Sequence, residues 1–85
     1  MKLKNWFTEK NNNHVVLCGE VYDDETHKYA DGDLVRTSYI KDVTEENGAI
    51  IAVTFNSQYE LAESYLQEIK ITYDGGQKNY EFVWK

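Results

Sequence analysis

An 85-residue chain holds one domain, 1–85, since a chain of this size buries only about 60 to 65% of its unfolded surface and has no second core to build. A 41% hydrophobic and 14% aromatic content excludes a disordered polymer, and no apolar run reaches the roughly 18 residues of a membrane-spanning helix. Fifteen Asp and Glu against nine Lys and Arg give a net charge of −6, a field that repels nucleic acid and anionic bilayers and suits either plain solubility or a basic partner.

The opening Met1-Lys2-Leu3-Lys4-Asn5-Trp6 has no apolar signal region behind its lysines, so a cytoplasmic location is expected, that of a bacterial host cell if the chain is phage-borne. Leu3, Asn5 and Phe7 alternate with Lys4, Trp6 and Thr8, which predicts a first strand, and Asn11-Asn12-Asn13 supplies its turn. From His14 to Tyr22, Val15, Leu17, Gly19 and Val21 share one face of an interior strand, with Gly19 marking a bulge or a close backbone approach. Asp23 to Asp33 keeps no period and reads as an exposed acidic loop. Leu34 to Val43 resumes as strand, Asn47-Gly48 predicts a hairpin turn, and Ala49 to Phe55 returns as the most apolar strand.

Two readings compete beyond Phe55. Ser57-Gln58-Tyr59-Glu60 fits a capping box, and Tyr59, Ala62, Leu66 and Ile69 recur at helical spacing, which predicts a helix over 58–69 and an α+β fold. Period two through Val53, Phe55, Ser57, Tyr59 and Leu61 instead predicts a returning strand, with a short helix left for about 63–68. The second reading is preferred. Ile69, Ile71 and Tyr73, the turn Asp74-Gly75-Gly76, and Tyr80, Phe82 and Trp84 then make a last hairpin. The expected fold is mainly β, an antiparallel small barrel or sandwich of six to seven strands with one short helix.

No catalytic or metal constellation forms in the sequence, and no cofactor is expected. Cys18 is alone in an apolar run and reads as a small buried hydrophobe. The acidic residues Asp23, Asp24, Glu25, Asp31 and Asp33 lack the alternating ligand spacing of a calcium loop, and His14, Cys18 and His27 are too scattered for zinc. They read as an acidic surface. Asp74-Gly75-Gly76-Gln77 lacks the spacing of a phosphate-binding loop and is a turn. The one polar cluster with a geometric basis lies across the predicted Asn47-Gly48 hairpin. Counting outward from that turn sets Arg36, Thr37, Ser38 and Tyr39, with Lys41, near Thr54, Asn56 and Ser57, a patch that could orient a small anionic ligand or a peptide edge. Strand-forming hydroxyls are the plainer explanation of the same residues.

Gly19-Glu20-Val21-Tyr22, Asp31 to Ile40 and Thr54 to Leu61 together resemble a pattern in small uncharacterised bacterial and phage-borne all-β proteins, Gly-x-Val-Tyr, Asp-Gly-x-x-Val-x-Thr-Ser-x-Ile and Thr-x-x-Ser-x-Tyr-x-Leu. The resemblance covers about the middle half of the chain. It implies strand character for Tyr59 to Leu61 and a mobile-element setting, and it carries no catalytic residues. The leading expectation is a non-catalytic binding protein, an inhibitor of a host defence protein that acts through its acidic surface on a basic protein partner, with a homodimer by strand addition allowed. A module that sequesters a small anionic ligand or signalling nucleotide is the alternative, and a small enzyme comes third.

Overall fold

The structure, a computed structural model, describes residues 1–85 and contains seven strands and no helix. The strands are β1 (Lys2–Asn11), β2 (His14–Tyr22), β3 (Leu34–Glu46), β4 (Ala49–Thr54), β5 (Gln58–Leu61), β6 (Gln67–Asp74) and β7 (Gln77–Trp84). β1 to β5 pair antiparallel in chain order. A short parallel contact, Lys2 with Glu60 and Leu3 with Leu61, joins β5 back to β1 and closes the ring. β6 and β7 form a separate antiparallel hairpin. The mainly β expectation holds, and the small barrel or sandwich of six to seven strands is replaced by seven strands in two sheets, five of them closed and two forming a ribbon packed on them.

Turn chemistry accounts for much of this order. Asn12-Asn13, Asn47-Gly48 and Gly75-Gly76 all have positive φ at both positions, as a two-residue hairpin turn of matching twist demands. Asn and Gly tolerate that region at the least steric cost.

The core is built from Leu3, Trp6, Leu17, Val21, Ala52 and Leu61, with Ile40, Ile50, Tyr59, Ile69 and Phe82 packed against it. Strict alternation would put Leu3 and Trp6 on opposite faces of β1, yet both are buried. The reason is a bulge: Lys4 pairs with Glu20 and Phe7 with Cys18, so Asn5 and Trp6 together oppose Gly19. Asn5 takes φ 49° there, and the extra residue turns Trp6 inward. A Cβ at Gly19 would stand 3.1 Å from Trp6 Cβ and 3.3 Å from Leu3 Cβ, so the bare glycine makes the inward turn of both side chains compatible with close strand pairing.

Neither expected helix forms. β5 occupies Gln58–Leu61 and β6 begins at Gln67, which overturns the short helix at 63–68 and the longer one at 58–69. The backbone of the intervening segment is satisfied by β1 instead. Ala62 N–H donates to Leu3 O at 2.8 Å, Asn5 N–H to Glu63 O at 3.4 Å, and Trp6 Nε1–H to Ala62 O at 2.7 Å. Ser64 Oγ donates to Trp6 O at 2.5 Å. A helix would withdraw these groups into its own ladder and unseat Trp6, so tertiary partners override local propensity.

No helix of the structure is long and apolar enough to cross a membrane.

Candidate functional site

Six of the eight patch residues, Lys41 among them, meet at the turn between β4 and β5. Ile40 pairs with Thr54, which sets Ser38 and Tyr39 beside the turn residues that follow. Thr54 is buried, and its side chain and amide fasten the turn: Thr54 N–H and Oγ1 both donate to Ser57 O, at 2.9 and 3.0 Å, while Ser57 N–H donates to Thr54 Oγ1 at 3.2 Å. From β3, Tyr39 O accepts Phe55 N–H at 3.3 Å and Ser38 Oγ accepts Asn56 N–H at 3.3 Å. Every residue from 54 to 57 is thus pinned through its main chain, and Phe55 is left 64% exposed at the apex.

Aromatic and cationic neighbours frame Phe55. Tyr39 meets it edge-on at 6.3 Å between centroids and stacks its own ring on His14 at 4.2 Å. Lys41 Nζ lies 5.4 Å from the centre of the Phe55 ring. Neither His14 nor Phe55 belongs to the patch read from the sequence. The same cross-strand count that placed Tyr39 opposite the end of β4 reaches Phe55, while Val16 pairing with Tyr39 brings His14 within diagonal reach only once the β2–β3 register is known.

The other two patch residues serve different ends. Thr37 is buried, and its hydroxyl accepts Leu17 N–H at 3.1 Å and donates to Ser38 O at 2.7 Å. It stands where the β2–β3 register shifts between Val16 and Cys18, so it supplies the acceptor that the interrupted ladder withholds from Leu17. Arg36 pairs with Cys18 across the ladder and turns to Glu9 at 3.5 Å, an exposed ion pair away from the Phe55 turn. Burial raises the Cys18 thiol above its ordinary value, and the Glu9 carboxylate adds to the effect.

The acidic loop spends three of its five carboxylates on its own folding. Asp24 is the organiser: Oδ1 accepts Thr26 Oγ1 at 2.8 Å and Thr26 N–H at 3.2 Å, and Oδ2 accepts Lys28 N–H at 3.1 Å and Tyr29 N–H at 3.0 Å. The Thr26 hydroxyl foremost, with these amides, holds its carboxyl below the ordinary range against the opposing effect of burial. Asp31 accepts Asp23 N–H and Asp33 accepts Ala30 N–H, both at 3.0 Å. Asp23 and Glu25 remain exposed, and with Asp24, Glu60 and Lys2 they line a cleft of about 310 Å³ beside the start of β1. No three His, Cys, Asp or Glu side chains converge to hold a metal ion.

Comparison of the chain with protein-family models, with curated proteins and with solved structures finds no match.

Proposed function

We propose that the chain is a non-catalytic binding protein that seats Phe55 in a pocket of a protein partner. The observation that carries this reading is a large aromatic side chain 64% exposed on a turn whose four amides, from Thr54 to Ser57, are all hydrogen-bonded. Such a residue loses little entropy on docking, and aromatic anchors of this kind dominate interface energetics. Tyr39, Asn56 and Ser57 supply a polar rim beside it. The net charge of −6, with Asp23 and Glu25 displayed on an ordered loop, favours a partner with a basic surface and speeds encounter more than it adds affinity. The resemblance to phage-borne proteins directs the search for that partner to bacterial host defence proteins, on which the chain would act as an inhibitor.

Ligand sequestration has fewer groups to work with, since the Thr37 and Thr54 hydroxyls are committed to the main chain and Arg36 to Glu9.

The test is capture of host proteins on the immobilised chain, followed by calorimetric titration of the purified partner. Phe55→Ser should weaken binding by at least about 2 kcal/mol with the fold intact, and rising salt should slow association. Equal affinity of Phe55→Ser and the parent chain would overturn the reading.

A further inference from the structure

Both edges of the β6–β7 ribbon are unpaired by any other strand. Asp74 and Gln77 flank a two-residue turn, so Asp74/Gln77, Thr72/Asn79, Lys70/Glu81 and Glu68/Val83 exchange the ribbon's ladder bonds. The peptide groups of Ile69, Ile71 and Tyr73 therefore point outward from β6, and no other main-chain or side-chain bond takes them. Tyr73, beside the turn, is 70% exposed.

We propose that this β6 edge pairs antiparallel with the β6 edge of a second copy, centred on Thr72, to form a four-stranded sheet. In that register Thr72 faces Thr72 of the second copy. Lys70 faces Asp74 and Asp74 faces Lys70, two opposite-charge pairs on the exposed face. On the other face Ile71 meets Tyr73 and Tyr73 meets Ile71. These are the cross-strand combinations that stabilise antiparallel pairs, and the outward peptide groups of Ile71 and Tyr73 are the ones the register joins. Charge selects this alignment among its neighbours: centring on Ile71 sets Glu68 against Asp74 twice, and centring on Lys70 sets that residue against itself.

The β7 edge has no such complement. Lys78 and Glu81 lie on opposite faces of the strand, Lys78 Nζ is held by Asp42 at 3.0 Å and Val43 O at 2.6 Å, and Lys85 Nζ is held by Ser64 O at 2.6 Å. In a chain of net charge −6, self-association needs local attraction of the kind β6 provides.

The experiment is light scattering and sedimentation of the full chain over a concentration series, with Lys70→Glu, Asp74→Lys and their equimolar mixture. The parent chain should give the mass of a dimer. Each single substitution turns both opposite-charge pairs into like-charge pairs and should raise the dimer dissociation constant by about tenfold or more. Mixing the two variants restores two opposite-charge pairs between unlike copies, so a heterodimer should form where neither variant dimerises alone. A monomeric parent chain, a dimer indifferent to both substitutions, or a mixture that stays monomeric would each overturn the proposal. Circular dichroism reports the folding of each variant. Should either misfold, Tyr73→Pro replaces it, because it removes an outward N–H and no ribbon bond; loss of the dimer then supports the pairing and its retention overturns it.

Discussion

Thr37 and Asp24 share a trait: each looks like a surface functional group in the sequence, and each is consumed by the main chain. A hydroxyl in a β-rich stretch carries no signal of whether its strand bulges, and a carboxylate in an acidic loop carries none of which amides it will meet. The Thr37 contact has a direct energetic consequence. Thr37→Val keeps the shape of the side chain but leaves Leu17 N–H buried without an acceptor, which should cost about 1–3 kcal/mol. Urea denaturation should show a lower midpoint with an unchanged slope, and partner binding at Phe55 should survive wherever the chain is folded. A midpoint equal to that of the parent chain would mean that water or a shifted strand supplies the missing acceptor.

Among the elements, the β6–β7 ribbon depends most on a few side chains for its place. Gln67 is 2% exposed, and its Oε1 accepts Thr8 N–H at 2.6 Å and Thr8 Oγ1 at 3.1 Å, tying the root of β6 to β1. Lys78 ties the far end to Asp42 and Val43, and Phe82 meets Trp6 edge-on at 6.3 Å. Gln67→Leu should therefore loosen the ribbon as a unit, with amide exchange of β6 and β7 rising about tenfold while β2 and β3 change little. Uniform acceleration across all strands would instead mean that ribbon and barrel open together. The existence of this ribbon was legible because Asp74-Gly75-Gly76 divides two period-two runs, as Asn47-Gly48 does for β3 and β4. Its separation from the other five strands was not, since it rests on the parallel contact of β1 with β5, a pairing between residues nearly sixty positions apart. The same distance hid the partners of residues 62–66 on β1, so period two argues against a helix only as far as Leu61 and nothing local opposes the short one expected at about 63–68. The bulge that turns Trp6 inward announced itself only indirectly, through Gly19 on the opposing strand.

At the scale of the whole molecule, the titratable groups with shifted values predict a stability plateau with an acid limb and an alkaline limb. Asp24 and Asp42 lie below the ordinary 3.8, Asp24 chiefly through the Thr26 hydroxyl and Asp42 chiefly through the Lys78 ammonium, with the Val43 amide also donating to it. A carboxyl lowered on folding means that the unfolded chain binds more protons just above the folded value. Its contribution is complete above 3.8 and is lost as pH falls through the folded values. Tyr59 and Tyr80 are raised above 10.0 by burial, so their contribution is complete below that value and is lost as pH rises through the folded ones. Thermal melting from about pH 2 to pH 11 should trace both limbs. Replacing Asp24 and Asp42 by Asn should flatten the acid limb and leave the alkaline one, whereas Tyr59→Phe should soften only the alkaline limb. The acid limb is also structurally specific, because protonating Asp24 removes its charge and turns one of its acceptor oxygens into a hydroxyl. That weakens its hold on the amides of Thr26, Lys28 and Tyr29 and should loosen the loop that displays Asp23 and Glu25. Loop amides should accordingly exchange faster at low pH before the barrel melts, and an acid transition in which loop and barrel lose protection together would contradict this order of events.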